Sequence, residues 1–331
     1  MQPFRKVAFS LMPATASLLL AGCNWTQSAL APRGSHAETV DQLTLVLFIG
    51  GALIFLLVVT LLAIATLLRR NRTSWMANDN FIIGLGIMFP AVTLTALLTF
   101  STVVSQTIHA AQPAMRIEVT GEQFWWRVHY LDERGTTTLA TANEIRIPVG
   151  TPVEFILKTQ DVIHSFWVPN LAGKLDMIPG RVNRMTFSAT APGIYRGQCA
   201  EYCGAQHALM AFYIVATSPR DFEAWFAQQV GSPPEPATPF LASGRQLFLS
   251  AGCGSCHTVR GTPADGRFGP DLTRVGSRLS IGAGMYPVNI GTLAGWTSSA
   301  QHLKPGNPMP SFGNLQGEQL RAIAAYMESL K

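Results

Sequence analysis

The chain has 331 residues, of which 48% are hydrophobic and 13% carry a charge, about half the charged fraction of an ordinary globular protein. This composition excludes a disordered or fibrous protein and predicts membrane-spanning segments, and the length leaves room for two or three domains. The formal net charge is +5, but no cluster of Lys and Arg is larger than the three arginines within residues 69–72. Nucleic-acid binding is therefore a poor explanation of the positive charge.

The N-terminal residues have the pattern of a secretory signal. Arg5 and Lys6 precede an uncharged run that ends in Leu-Ala-Gly-Cys at Cys23, and a basic region, an apolar core and small residues at the cleavage site are typical of such signals. A Cys directly after Leu-Ala-Gly resembles the bacterial lipobox, in which that Cys is lipidated. We therefore predict a lipoprotein signal peptide at 1–22, with Cys23 as the anchor; the alternative is an ordinary signal peptide with an incidental Cys.

Two apolar runs predict transmembrane helices. Residues 43–68 and 81–108 contain no charged residue, and each exceeds the ~20 residues that cross a bilayer. Arginines in the connecting segment 69–80 place that loop in the cytoplasm by the positive-inside rule. The N-terminal segment 23–42 and everything after Gln112 are then expected outside the cytoplasm.

The outer region divides into two domains of different pattern. Residues 112–230 contain short alternating runs rich in β-branched and aromatic residues, which predict an all-β Greek-key sandwich or barrel. A Pro-rich linker follows at 231–239. Residues 240–331 are helical and loop-rich and end in an amphipathic helix. The predicted fold class is a multidomain membrane protein with a two-helix hairpin, an all-β domain and an all-α domain.

A cluster of sulfur and imidazole ligands lies in the predicted β domain. Cys199, Cys203, His207 and Met210 fall within twelve residues, and His164 lies upstream. Thiolate, imidazole and thioether ligands together select copper over calcium or magnesium. A mononuclear blue-copper centre needs one Cys, so the second thiolate indicates two bridged coppers with one imidazole each. The alternatives are a disulfide between the two cysteines and a zinc site, which the Met ligand disfavours.

At these residues the chain resembles the dinuclear copper (CuA) domain of cytochrome c oxidase subunit II. The resemblance covers roughly 40–227 and implies a two-helix hairpin, a cupredoxin-like barrel, and bridging of both coppers by Cys199 and Cys203. It assigns the remaining ligands in two pairs, one to each copper: His164 with Met210, and His207 with the backbone carbonyl of Glu201. Residues 112–230 are called the copper domain below.

The resemblance also implies contacts with subunit I and contains two departures. The Glu between the cysteines offers its carboxylate to a Mg²⁺ shared with subunit I in this family, and Glu201 matches that position. Residues 173–181 resemble the segment that faces subunit I, although surface salt bridges are an alternative explanation of its charges. The aromatic residue that receives electrons from cytochrome c is usually Trp, but here it is Phe124. The family's Glu at the inner end of the second helix is missing, and Asp79 is the nearby acid.

A second redox site is predicted near the C-terminus. Cys253, Cys256 and His257 form a C-x-x-C-H motif, in which two thiols attach haem covalently and the His becomes an axial iron ligand. A thioredoxin-like dithiol is the alternative, but it needs a strand-to-helix setting that the sequence does not show. With Cys23 and the two copper cysteines, these assignments use all five cysteines of the chain.

The surroundings of this motif resemble a class I cytochrome c. The loop at Pro270 resembles the family loop whose Pro carbonyl accepts the Nδ1 proton of the axial His. The Pro- and Gly-rich stretch around Met309 resembles the distal loop, which implies that Met309 is the second axial ligand, with Met285 as the rival. His/Met ligation closes the iron to oxygen and suits electron transfer. Residues 240–331 are called the haem domain below.

These resemblances imply the electron-input subunit of a bacterial haem–copper terminal oxidase. Electrons would run from an outside donor, such as a soluble or membrane-bound cytochrome c, to haem c, to CuA and then to the O₂-reducing subunit I. The expected partners are subunits I and III in the inner membrane, with both redox domains on the outer face and no nucleic acid. The alternatives are the CuA subunit of a nitric oxide reductase and a free membrane-tethered electron carrier or copper-handling protein.

The charges of the two outer domains differ weakly in sign. The haem domain has eight cations and four anions, whereas the copper domain has ten cations and eleven anions. Opposite signs favour docking within the chain, and a short tether raises the local donor concentration to about the millimolar range. The sequence therefore predicts that haem c is the obligatory site of electron input and that no strong docking surface is needed.

Overall fold

The computed structural model describes residues 25–68, 74–108 and 112–331. The predicted signal peptide at 1–22, the predicted lipidation site Cys23 and the arginines within 69–72 lie outside the described residues.

Two long apolar helices form the N-terminal part of the described chain, and both have the length and composition to cross a membrane. The first, α1 (Ser35–Leu67), begins eight residues before the predicted start at 43. Its first turn is bound to the copper domain, since the backbone N–H of Ser35 donates to the carbonyl of Ser188 (3.0 Å). The polar residues that the hydropathy pattern leaves out of the span therefore continue the same helix out of the membrane.

The second apolar segment is helical throughout, but it changes from α-helical to π-helical winding and back. It consists of α2 (Asp79–Ile83), a π-helical turn (Gly84–Met88) and α3 (Phe89–Ile108). Pro90 is the second residue after this turn, so the carbonyl four residues before it belongs to the turn. A proline inside a helix has no N–H to donate, and its ring clashes with the carbonyl four residues earlier. The wider π-helical turn accommodates that ring without ending the helix.

The copper domain is a sandwich of two five-stranded sheets, which confirms the predicted all-β fold. The strands are β1 (Met115–Glu122), β2 (Trp125–Leu131), β3 (Thr137–Ala142), β4 (Glu144–Pro148), β5 (Val153–Thr159), β6 (His164–Trp167), β7 (Leu175–Met177), β8 (Asn183–Phe187), β9 (Gly193–Cys199) and β10 (Ala211–Thr217). The sheet orders are β3-β2-β1-β5-β8 and β4-β10-β9-β6-β7, with parallel pairing of β1 with β5 and of β4 with β10. Alternate side chains point inward, as period-two strands require.

Aromatic side chains join the two sheets. Phe155 of β5 contacts Phe166 of β6 with ring centroids 5.3 Å apart, and Trp126 of β2 contacts Phe212 of β10 at 4.9 Å. These four side chains are fully buried. They hold the second sheet, which carries the predicted copper ligands, in a fixed position against the first.

Helix α4 (Pro219–Val230) closes the copper domain, and the helical haem domain follows it. The Oγ of Ser218 caps α4 by accepting from the backbone N–H of Asp221 (3.2 Å). The haem domain contains α5 (Pro239–Ser250), β11 (Ser280–Ile281), β12 (Tyr286–Pro287), α6 (Ile290–Leu303) and α7 (Gly317–Ser329). A Cβ at Gly244 of α5 would lie 2.1 Å from the carbonyl oxygen of Ala322 in α7. Only glycine therefore allows the two helices to cross so closely. Beside the crossing, the ring of Phe248 packs on that of Tyr326, with ring centroids 5.9 Å apart.

The start of the linker is bound to the haem domain rather than extending freely from it. Arg260 donates to the carbonyls of Val230 (2.6 Å) and Gln229. Arg274 donates to the carbonyls of Gly231 (3.2 Å) and Ser232 (2.9 Å). These bonds hold the two outer domains in one arrangement, and contacts between the domains extend to both candidate redox sites.

Candidate copper centre and haem site

Three elements of one sheet bring the predicted copper ligands together. Strand β6 begins at His164, and β9, its neighbour, ends at Cys199. The loop after β9 carries Cys203, a 3₁₀ turn begins at His207, and β10 starts directly after Met210. The loop thus leaves and re-enters the same sheet, and the backbone N–H of Cys199 donates to the carbonyl of Met210 (2.9 Å).

The ligand atoms form a compact chain around the two thiols. The Sγ atoms of Cys199 and Cys203 are 3.8 Å apart. Next to Cys199 Sγ lie Nδ1 of His164 at 3.8 Å and the carbonyl oxygen of Glu201 at 3.2 Å. Next to Cys203 Sγ lie the two remaining predicted ligand atoms, Nδ1 of His207 at 3.7 Å and Sδ of Met210 at 3.8 Å. The structure therefore brings all six predicted copper ligands together.

Burial and hydrogen bonds prepare this cluster for a metal. Both thiols and His164 are buried. Because the thiol of Cys203 hydrogen bonds to Cys199, the pKa of Cys199 falls well below its usual value and that of Cys203 rises. Nε2 of His164 bonds to the carboxylate of Asp161 (2.8 Å), which fixes the ring and leaves Nδ1 facing the sulfur atoms. Two thiols, two imidazoles and a thioether, all but His207 buried, suit copper.

The carboxylate of Glu201 points away from the sulfur cluster. Its Oε2 lies 3.5 Å from Nζ of Lys174, which also pairs with Asp176 at 3.1 Å. Ser165 donates to Asp176 (2.8 Å), and this bond is the largest of the effects that lower the pKa of that carboxyl. The Glu201 side chain thus belongs to an exposed polar cluster beside the copper ligands.

The predicted haem ligands line a single cavity in the haem domain. Cys253, Cys256, His257 and Met309 all belong to its wall. Nδ1 of His257 lies 2.8 Å from the carbonyl of Pro270, as the resemblance to class I cytochromes c implies. Burial lowers the pKa of His257, so the imidazole is neutral and suited to bind a metal through Nε2. The rival ligand Met285 is not among the described residues that line this cavity.

The rest of the cavity fits a haem with charged propionates. Its walls are largely apolar and include Phe248, Leu293 and Met327. Arg278 is half-buried and also lines the cavity, and its Nε is shielded from solvent and has no hydrogen-bond partner among the described residues. An unpaired guanidinium N–H in this position suits a carboxylate. Sequence reasoning missed Arg278, because a single Arg in a loop carries no signal of its burial.

The copper domain forms part of the cavity wall. Phe124, Trp125 and Asn143 face the cavity from the copper domain. Next to Phe124, the Nε2 of Gln123 donates to the carbonyl of Cys203 (2.5 Å). Lys304 of the haem domain also lines the cavity and reaches the copper domain. The sequence did not indicate this interface, because its contacts, such as those of Lys304, join residues about 95 to 180 positions apart.

Comparison with known proteins identifies the family. Residues 118–217 match the family described as cytochrome c oxidase subunit II, periplasmic domain, and residues 241–331 match cytochrome c. Cytochrome c oxidase subunit 2 of Alkalihalophilus pseudofirmus is 33% identical, over 98% of this chain and 98% of its own. The chain belongs to the cytochrome c oxidase subunit 2 family.

Other members of the family and one solved structure are also similar. Cytochrome c oxidase subunit 2 of Bacillus subtilis is 30% identical, over 74% of this chain and 70% of its own. A crystal structure of the periplasmic domain of subunit II of cytochrome oxidase from Bradyrhizobium japonicum is 29% identical, with a TM-score of 0.33, over 36% of this chain and 95% of that one.

Membership of the subunit 2 family has four consequences. The chain is a subunit of a haem–copper oxidase and works in a complex with subunit I. The two matched domains imply copper A and haem c. Together with the two apolar helices, the family indicates a membrane protein with periplasmic domains. The relatives named here are oxidase subunits, which favours that interpretation over a nitric oxide reductase or a free carrier.

Proposed function

We propose that this subunit is the electron-input unit of its oxidase, taking electrons from an outside donor at the haem domain. When bound, haem c and copper A supply one-electron redox chemistry and connect that donor with subunit I. The observation that carries the proposal is the shared wall: Phe124 and Trp125 of the copper domain face the same cavity as His257 and Met309. The two candidate redox sites of this chain are thus separated by only a few residues, which include Phe124 and Trp125.

In this proposal, six residues hold the two coppers. Cys199 and Cys203 would hold both ions, as the family resemblance implies, and the other ligand atoms lie within 3.8 Å of these two sulfurs. His164 and Met210 would serve one copper, and His207 with the carbonyl of Glu201 the other. The backbone bond between Cys199 and Met210 keeps the two ends of the ligand loop in place, which suits electron transfer because little rearrangement accompanies a change of charge.

Four residues hold the haem. Cys253 and Cys256 would attach it through their thiols, and His257 and Met309 would bind its iron. The carbonyl of Pro270 fixes the His257 ring through Nδ1, and Nε1 of Trp296 lies 3.1 Å from Sδ of Met309. Both contacts orient a ligand toward the cavity, and such outer contacts tune a metal site.

The membrane-side parts of the proposal concern anchoring and partners. Cys23 carries a lipid after removal of residues 1–22, so an unmodified N-terminal residue in mass spectra of the mature protein would contradict this part. The Glu201 carboxylate binds Mg²⁺ together with subunit I, in exchange for its pairing with Lys174. Subunit III and a cytochrome c-type donor complete the set of proposed partners.

The experiment that tests the proposal is truncation after Ser232, in the assembled oxidase. We expect the near-infrared copper absorption to persist, because the copper ligands all lie before that residue, while turnover with the physiological donor falls sharply. Phe124→Ala in the full chain is the matched control and should reduce turnover far less, since the haem domain is retained. Turnover of the truncated complex at the full rate would show that the haem domain is accessory.

A further inference from the structure

Lys304 joins the two outer domains through its buried ammonium group. It directly follows helix α6 and is 2% exposed. Its Nζ donates to three backbone carbonyls, those of Phe124 (2.8 Å), Leu209 (2.8 Å) and Gly282 (2.9 Å). Phe124 and Leu209 belong to the copper domain, whereas Gly282 belongs to the haem domain. A haem-domain side chain therefore ends among copper-domain atoms, out of contact with water.

The three carbonyls match the needs of a charged lysine. Burying an ammonium group is costly unless each of its protons is hydrogen bonded, and Lys has three donor protons and no acceptor. Burial lowers the pKa of Lys304 to about 7, but a neutral amine would leave one carbonyl without a donor. Since the acceptors come from both domains, the full set exists only in the docked arrangement.

On each side, Lys304 is connected to a proposed metal ligand. In the copper domain, Leu209 directly precedes Met210. In the haem domain, Nδ2 of Asn307 donates to the carbonyl of Lys304 (2.6 Å), and Oδ1 of Asn307 accepts from the backbone N–H of Met309 (2.8 Å). The copper-ligand loop and the distal haem loop are thus linked through one side chain and two short hydrogen-bonded steps.

Three further hydrogen bonds cross the same interface and lie around Lys304. Nε2 of Gln206 donates to the carbonyl of Pro305 (2.9 Å). The backbone N–H of Ala211 donates to the carbonyl of Ala283 (3.0 Å), and that of Leu279 donates to the carboxylate of Glu144 (2.7 Å). Hydrogen exchange at the backbone amides of Ala211 and Leu279 reports on docking, because each amide has its acceptor in the other domain.

We propose that Lys304 is a positioning residue that locks the distal haem loop onto the copper-ligand loop. It holds the domains together through backbone carbonyls, which substitutions of other side chains neither add nor remove. The consequence for electron transfer, a fixed separation of the two redox sites, rests on the proposed function. The docking contacts described here are made between residues of this chain.

The test is Lys304→Met in the full-length protein within its purified complex, with Lys331→Met as the matched control. Met keeps the length of the side chain but donates no hydrogen bond, whereas Lys331 is an exposed lysine of the same domain. In the Lys304 variant, we expect the amides of Ala211 and Leu279 to exchange with deuterium about tenfold faster, which corresponds to about 1.4 kcal/mol. The control should exchange as the wild type does.

Three readouts separate docking from folding. The absorption of haem c and copper should remain unchanged in Lys304→Met, and exchange within α7 should remain slow, because both domains stay folded. Electron transfer from haem to copper after photoreduction should slow in the Lys304 variant in proportion to the docked fraction that is lost, and it should be unchanged in Lys331→Met. Lys304→Gln, which keeps two donor protons, should lie between the wild type and the Met variant, and it replaces the Met variant if that fails to assemble.

Two outcomes would overturn the proposal. Wild-type exchange at Ala211 and Leu279 in the Lys304 variants would show that the lysine does not hold the interface. Equally accelerated amide exchange throughout α7 would show that Lys304 stabilises the fold of the haem domain instead of the docking. A wild-type complex without haem c or copper absorption would refute the proposed function, but it would leave the exchange result standing.

Discussion

The copper and haem domains prepare their ligands in different ways. In the copper domain the Sγ atoms of Cys199 and Cys203 lie 3.8 Å apart, and the backbone bond from Cys199 to Met210 fixes the loop that carries them. In the haem domain, Cys253 and Met309 face a cavity around which α5, α6 and α7 pack. A sheet can fix metal ligands through its own backbone, whereas three short helices build their core around the group they hold.

The largest expected effect is the loss of folded structure in the haem domain, while the copper domain stays folded. In the double variant Cys253→Ser, Cys256→Ser, no covalent haem can form, so the apolar side chains around the cavity, among them Phe248 and Ile323, lose their packing partner. More than half of the buried hydrophobic core of this domain lines the cavity. Hydrogen exchange should show loss of protection in α7, while the near-infrared copper absorption persists.

Ser255→Ala is the control for that variant, since it lies between the two cysteines and changes neither thiol. It should retain both haem attachment and α7 protection. Wild-type protection of α7 in the double variant would remove the contrast between the domains, because the haem domain would then fold without its cofactor.

The next largest effect is confined to the copper site. Cys203→Ser should abolish the near-infrared mixed-valence absorption, because a serine hydroxyl does not supply the second bridging thiolate. The copper domain should stay folded, since backbone bonds hold the ligand loop, and the haem c spectrum should not change. Tyr202→Phe, in the same loop and 75% exposed, is the control and should keep the copper absorption. A dinuclear signal in Cys203→Ser would make the bridging assignment wrong.

A smaller effect is expected at the distal side of the haem. Met309→Ala should lower the reduction potential of haem c and open the iron to added ligands such as cyanide, because loss of the thioether removes the sixth ligand. The domain should stay folded, since the attachment cysteines and His257 remain. Redox titration and ligand-binding spectra measure both changes. Met285→Ala should leave them unaltered; the reverse pattern would transfer the assignment to Met285.

Local pattern was sufficient for the fold classes and for the grouping of the copper ligands. Period-two alternation predicted the strands, and the spacing of Cys199, Cys203, His207 and Met210 reflects one loop between neighbouring strands. His164 was named as an upstream ligand from its residue type, but its closeness to Cys199 depends on pairing between β6 and β9. Long-range pairing of this kind has no signature in a single sequence.

The interface between the domains could not be predicted for the same reason. The sequence indicated a tether and no need for a strong docking surface, but the structure fastens the linker with Arg260 and Arg274 and buries Lys304 between the domains. From sequence alone, a lysine is expected at the surface. The burial of Lys304 depends on carbonyls about 95 to 180 residues away, which the sequence does not reveal. The weak charge difference between the domains did not indicate which residues make the contact, because these contacts go to backbone groups.

The smallest expected effect concerns an ion-pair cluster on the outer face of the copper domain. His129 and Lys158, whose Nζ lies 2.6 Å from Glu118, lower the pKa of Glu118 from 4.5 to about 2, against partial burial, which raises it. A carboxyl whose pKa falls on folding stabilises the folded state above its ordinary pKa, and this contribution is lost as the pH falls from about 4.5 to 2. Glu118→Gln should therefore reduce the free energy of unfolding of the copper domain at neutral pH by ~1 kcal/mol or less.

Unfolding of the wild type and the Glu118→Gln variant, followed over this pH range, measures the effect. The difference between the two should be largest at neutral pH and should shrink as the pH approaches 2, because protonation removes the same charge in the wild type. Glu328→Gln, which breaks an exposed pair with Lys331 in the haem domain, should change the unfolding of that domain less. An equal effect of the two substitutions, or a difference that stays constant with pH, would contradict a special role of this cluster in the copper domain.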